Sequence, residues 1–283
     1  MGWMQVGVRT GMEWPIADIW VAYAGAKFLL RSPKVRIHAP DILCEFTGPD
    51  HQEAHRAILE FMSVLAWLKG RQIEQTTIGW TQSTNIPMMI GPAPHIQNIC
   101  EEFELALFPD MSNPKAGLGL ALYREALCNN SPPFKYLGFW KLASLMFGDG
   151  QPAQKQYLAS ILPSLNNSAA ATRVQELMKG GKSALELVTD HLYISRRCAI
   201  AHATSGPVIN PDDPVALGEI NSELPVVHEI AKHIIQFELG VQSEDRLYAE
   251  KNMERPQPSN KAISYYLDNQ VFSWRDMPVK EKI

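Results

Sequence analysis

Residues Phe134 to Phe147 limit most what this chain can fold into. From Tyr136 onward the stretch is dominated by Leu, Phe, Trp, Ala and Met, with Lys141 and Ser144 the polar exceptions. Asn129-Asn130-Ser131-Pro132-Pro133 precedes it, and Pro133 suits the first turn of a helix, where a missing N–H costs nothing. A helix apolar around so much of its circumference is buried on most sides.

Its neighbours in sequence are helical too. Asp110-Met111-Ser112-Asn113-Pro114 makes a polar break. Beyond it, spacing predicts helices over Gly117 to Cys128, Gln154 to Leu165, Ala169 to Met178, Ser183 to Ala203 and Leu224 to Leu239. Gly240 closes the last, and Gly206, Pro207, Pro211 and Pro214 mark a loop before it. The chain up to about residue 112 is mixed. Met4 to Val8, Trp20 to Leu30, Lys34 to His38, Leu43 to Phe46, Ile78 to Trp80 and Met88 to Ile90 are strand candidates, and the Ala content of Trp20 to Leu30 leaves a helix open there. Gly48-Pro49-Asp50 breaks the chain, and His51 to Lys69 then sets Ala54, Ile58, Phe61, Met62, Leu65 and Leu68 on one helical face. Ile96 to Leu107 also reads as helix. The fold class is α+β: an N-terminal mixed α+β module over 1–112, an all-α helical bundle over 115–241, and a charged, Pro-containing C-terminal tail over 242–283 whose end, Ile263 to Trp274, is aromatic. The Trp and Met residues of the first module read as core rather than as a ligand box.

Composition excludes several classes. Of 283 residues 46% are hydrophobic, which supports real cores. No apolar run approaches the roughly 20 residues that span a bilayer, so no membrane partner is expected. Met1-Gly2-Trp3-Met4-Gln5 shows no secretory pattern. Cys44, Cys100, Cys128 and Cys198 are scattered with no C-x-x-C pair, which points to the reducing cytoplasm and away from a zinc ribbon. There is no G-x-G-x-x-G after a strand, no P-loop and no metal-ligand spacing, so neither cofactor nor metal is expected. The net charge of −4 and pI near 6.1 exclude a broad basic face. An RNA partner would need a local positive patch.

One short stretch carries chemistry. Arg196-Arg197-Cys198-Ala199-Ile200-Ala201-His202-Ala203 sets Arg197 and His202 five apart near the end of the Ser183–Ala203 helix. Arg is a permanent, planar phosphate ligand, and His moves protons near neutral pH. RNA cleavage by its own 2′-OH needs a base at that hydroxyl, an acid at the leaving 5′-oxygen and a cation on the non-bridging oxygens. On a regular helix, residues five apart point about 140° away from each other. That angle predicts either a helix that loosens at its end or two copies meeting across a two-fold axis. The helical angles also place Leu187, His191, Ile194, Cys198 and Ala201 in a buried stripe widened by Val188, Leu192 and Ala199. Arg197 falls in line with Glu186, Asp190 and Tyr193, a pattern equally typical of a surface salt-bridge ladder. His202 suits a helix C-terminus simply as a cap. Cys198, in the apolar stripe, reads as a buried structural thiol.

The Arg-x4-His pattern resembles the signature of the HEPN superfamily. Leu122 to Leu127, Ser131 to Lys141, Ser195 to Ala203, Ile209 to Pro214 and Glu223 to Val227, in this order, resemble a bacterial family described as MauJ-type methylamine-utilisation proteins, over roughly 115–241. The resemblance implies a HEPN-like bundle that homodimerises through the motif helices, with Arg197 on the scissile phosphate and His202 moving the proton. It implies a metal-independent endoribonuclease, of a kind found in toxins and antiphage defence within larger complexes. One position departs from the pattern. Active HEPN nucleases commonly carry a polar residue after the Arg, and this chain carries Cys198. The alternative is a non-catalytic HEPN-like binding or dimerisation module linked to methylamine utilisation. Arg196, Arg124 and Lys141 are the expected RNA-binding side chains. Their convergence with Lys135 on Arg197 would favour RNA, and an apolar or acidic cleft would favour the alternative.

Overall fold

Strand β1 (Gly2–Thr10) pairs antiparallel with β5 (Asp41–Phe46) on one side and with β6 (Ile73–Thr81) on the other. The computed structural model describes residues 2–33, 40–47, 51–84, 105, 107–202, 208–210 and 212–254, with the backbone alone of 100–101, 264–267 and 270–273. The chain divides into two units, Met1–Pro109 with Ser243–Ile283, and Asp110–Gln242.

In the first unit, β3 (Ile19–Tyr23) and β4 (Ala26–Arg31) complete an antiparallel sheet of order β3-β4-β5-β1-β6. The Trp20 to Leu30 stretch is therefore two strands. Ala24 and Gly25 turn between them with φ of 48° and 78°, both in the left-handed region that two-residue hairpins of matching twist require. Helix α1 (His51–Lys69) packs on the sheet, and Phe61 stacks on Phe28 at 4.4 Å between ring centroids. The sheet also buries polar side chains: Gln5 Nε2 donates to Asp41 Oδ2 (2.7 Å) and Arg31 Nε to Asp41 Oδ1 (2.8 Å), so each finds a partner. A second sheet has the order β2-β7-β8-β9, from Trp14–Pro15, Cys100–Glu101, Ser264–Leu267 and Gln270–Ser273.

Several expectations change here. Cys100–Glu101 is strand, and Leu105 and Leu107 are not helical, so the helix expected over Ile96 to Leu107 does not form at the described residues. Trp14 and Trp67 are core, but Trp20 and Trp80 are exposed. The segment set apart as a tail clusters with the first unit. Its helix α9 (Glu244–Glu250) is tied to α1 where Lys69 Nζ donates to Glu244 Oε1 (2.6 Å). Lys34 to His38, Gly48-Pro49-Asp50 and Met88 to Ile90 lie outside the described residues.

The second unit is helical, so the fold class is α+β as the pattern implied. Helix α3 (Pro132–Phe147) is its centre, packed by α2 (Ala116–Cys128) and α8 (Pro214–His233). Gly138 of α3 lies so close to α2 that a Cβ there would come within 2.8 Å of the Ala126 Cβ, which is why a side chain is absent at this crossing. Helices α4 (Pro152–Ile161) and α5 (Ser168–Met178) follow, α5 packing on α8. Helix α8 begins ten residues before the expected Leu224. Asp213 accepts from Val215 N and Pro214 opens the first turn, a start signal hidden by Pro225 in the interior. A π-helical turn, Ile234–Glu238, extends it. The motif helix is made of α6 (Ala184–Glu186), a π-helical stretch Leu187–Cys198, and α7 (Ala199–Ala201). Ser183 and Glu186 open it with a reciprocal capping box.

Candidate functional site

The π-helical stretch ends at Cys198 and Ala199–Ala201 wind as α-helix, so the pair is set by how the helix ends. His202 then leaves the helix with extended backbone (φ −119°, ψ 123°), its N–H still donating to Cys198 O (2.9 Å). The outcome is that Arg197 Nη1 and His202 Nε2 stand 3.4 Å apart within one chain. The composite two-fold cleft is not needed to bring this pair together. Arginine has no acceptor, so a hydrogen bond in this contact requires Nε2 to accept.

Arg197 Nη2 forms an ion pair with Asp149 Oδ2, and the two side chains are 20% and 35% exposed. The salt-bridge ladder along the helix face does not form, because Glu186 is held in the capping box and Arg197 turns to another element. Asp149 comes from the connection between α3 and α4, flanked by Gly148 and Gly150 at φ of 76° and 70°. Ser144 Oγ of α3 donates to Asp149 Oδ1 (3.2 Å). Gln154 of α4, fully buried, accepts from Gly150 N (2.9 Å) and donates to Ser144 Oγ (3.4 Å). A chain of hydrogen bonds thus runs from the interior of α4 to the carboxylate that orients Arg197.

Tyr193 closes the other side. Arg197 lies over its ring at 5.7 Å and Lys155 Nζ at 4.5 Å, and Trp140 packs at 6.0 Å. Burial, together with its hydrogen bond to Cys198, raises the Tyr193 hydroxyl pKa, so it stays neutral near pH 7. Cys198 is half-buried, with Sγ 4.0 Å from Arg197 Nη1, and is not sealed in the core as its apolar stripe suggested. The buried face of the motif helix is instead Leu187, Val188, Leu192 and Ala199, while Ile194 is exposed.

The other expected RNA-binding residues do not converge on Arg197. Arg196 Nε donates to Glu223 Oε2 (2.9 Å) and Nη2 to Glu219 Oε2 (2.8 Å), both on α8. Glu223 is fully buried and also accepts from His191 Nε2 (2.8 Å) and Arg173 Nη2 (3.3 Å). Burial pushes the Glu223 carboxyl up, and hydrogen bonds from His191 and Arg196 overcome this and hold it below the ordinary carboxylate range. Arg124 is buried on α2 with its Nη2 on Glu125 Oε1 (2.8 Å). Lys141 is exposed on α3, one turn before Ser144. Asp149, Lys155 and Glu223 were not singled out by sequence reasoning. An Asp between two glycines just after the most apolar helix was a usable signal. The carboxylate network was not readable, because the first half of α8 read as loop. Among the described residues, no group of three or more His, Cys, Asp and Glu side chains is placed to hold a metal ion.

This half of the chain is a helical unit presenting an Asp–Arg–His cluster at the end of one helix. Residues 119–236, which contain that cluster, match the family model described as Methylamine utilization protein MauJ, so the helical unit is MauJ-like. No curated protein and no solved structure matches the chain. Among the described residues no helix is long and apolar enough to cross a membrane.

Proposed function

We propose that the helical unit is a HEPN-like, metal-independent endoribonuclease that cleaves RNA through its own 2′-hydroxyl, acting in the cytoplasm as a homodimer in a toxin or antiphage role. The observation that carries this reading is the 3.4 Å approach of Arg197 Nη1 to His202 Nε2, with Asp149 on the far side of the same guanidinium. Arg197 exchanges its contact with His202 for a non-bridging phosphate oxygen and holds the charge that builds there. His202 Nε2, its lone pair freed, takes the proton from the 2′-oxygen. The O2′–P bond forms and the P–O5′ bond breaks. The 5′-oxygen takes a proton from solvent, to which His202 returns its own. The products are a 2′,3′-cyclic phosphate and a 5′-hydroxyl, with no net consumption of water. Asp149 keeps Arg197 in place, and homodimerisation rests on the HEPN resemblance rather than on a need to complete the pair.

The test is incubation of the purified protein with mixed single-stranded RNAs in the presence of a chelator. Cyclic-phosphate ends are expected, and both His202→Ala and Arg197→Ala abolish them with the circular dichroism unchanged. Intact RNA with the folded wild type overturns the reading.

The pairing of Arg196 and Arg124 with carboxylates favours a second reading, a non-catalytic binding or assembly module linked to methylamine utilisation. Under it, the same two substitutions alter partner or ligand binding and no cleavage is seen with any protein.

A further inference from the structure

We propose that Lys155 is a second phosphate-holding residue, taking the phosphate next to the scissile one, with Lys155 and Arg197 both seated over the Tyr193 ring. This rests on the nuclease reading and names how the same site would grip its RNA. Near the motif the arginines are already answered by carboxylates: Arg196 by Glu219 and Glu223, Arg173 by Glu176 and Glu223, Arg197 by Asp149. Lys155 differs. Its ammonium sits 4.5 Å above the Tyr193 ring and meets no carboxylate among the described residues. A ring face steadies a cation without cancelling its charge, so Lys155 keeps a full positive charge to offer an anion. Arg197 lies 5.7 Å from the same ring, which sets the two cations at most about 10 Å apart, on the scale of successive phosphates on one strand.

The ring they share is held in place. Trp140 packs against Tyr193, and Gly150 passes so close that a Cβ would overlap the Tyr193 hydroxyl. Lys155 is itself placed by α4, the helix whose Gln154 anchors the Asp149 connection. One short element therefore presents a free cation to one phosphate and orients the cation for the next.

The experiment measures binding of a short single-stranded oligo-uridine to the His202→Ala protein across a salt series, and cleavage of the same RNA by the wild-type background. Lys155→Ala is expected to raise KM several-fold at unchanged kcat. It is also expected to flatten the slope of log Kd against log salt by about 0.7, the share of one phosphate contact on a single strand. Lys155→Arg restores both. Cleavage with KM and salt slope unchanged in Lys155→Ala overturns the subsite and leaves the nuclease reading standing. No binding and no cleavage by the proteins carrying Lys155 overturns both.

Discussion

Glu223, fully buried on α8, takes the guanidinium of Arg196 and so separates it from its chain neighbour Arg197. Two adjacent arginines meet opposite fates. Arg196 is a structural cation clamped between Glu219 and Glu223, and Arg197 faces Asp149, Tyr193 and His202. The clamp ties the motif helix to α8, while Arg197 turns to the connection between α3 and α4.

Removal of that carboxylate strands three side chains. Glu223→Ala leaves Arg196, Arg173 and His191 without the carboxylate they share. Breaking a buried pair from one side costs about 3–5 kcal/mol. Urea unfolding of Glu223→Ala is expected to show a loss of this order, with Glu223→Gln intermediate. Arg196→Ala is expected to lower stability as well, with RNA affinity changed much less than by Lys155→Ala. A stability loss below about 1 kcal/mol in Glu223→Ala would show that the network is dispensable.

Acid should unfold the helical unit in two stages. His228, packed between Tyr123 and Phe139 with its Nε2 2.8 Å from Tyr123 Oη, is pushed down to about 4 by burial, with Lys232 and Lys135 adding to the shift. The unfolded chain therefore takes up this proton first, and stability falls as pH drops from about 6.5 to about 4. The whole effect is about 3 kcal/mol for a shift of this size. Glu223 acts lower. Its folded pKa lies below the unfolded one, so its contribution is complete above about pH 4.3 and is lost as pH falls through the folded value. Urea midpoints measured from pH 7 to pH 3 check both, and His228→Phe should flatten the upper stage alone.

The hairpin of the first unit carries strain that a single change relieves. Ala24 adopts φ of 48° at the first turn position, where Asn and Gly are favoured. Ala24→Asn is expected to stabilise the first unit by about 0.5–1 kcal/mol. Thermal unfolding reads this directly, and an unchanged or lowered midpoint would place the strain elsewhere.

How far the sequence foretells the structure depends on which physical signal each residue obeys. His51 to Lys69 carries an uninterrupted 3.6-residue apolar period and is helical over that whole span. Phe134 to Phe147 is readable for a different reason, its apolar girth and the prolines that open it. The start of α8 was lost because Pro225 imitates a helix boundary, and with it went Glu219 and Glu223 and the fate of Arg196. The approach of Arg197 to His202 follows the loosened helix end, one of the two arrangements the spacing allowed, because His202 stands in extended backbone just past Ala201. Asp149 reaches Arg197 across 48 residues of chain, a separation at which spacing carries no signal.

Gly150 is the residue on which the geometry of the site can be tried most directly. Its φ of 70° strains any other residue, and an added Cβ would meet the Tyr193 hydroxyl. Gly150→Ala must therefore displace either Tyr193 or the connection carrying Asp149. Cleavage is expected to fall at least 10-fold, with a stability loss of about 1–3 kcal/mol. Tyr193→Phe removes the overlapping oxygen, and in the double variant part of both losses should return. Residues in contact give a double-mutant cycle that does not close to zero, so the expected coupling is favourable and of order 1 kcal/mol. Additive effects in that cycle would mean that Gly150 acts through backbone strain alone, and that the seating of Asp149 against Arg197 does not depend on Tyr193.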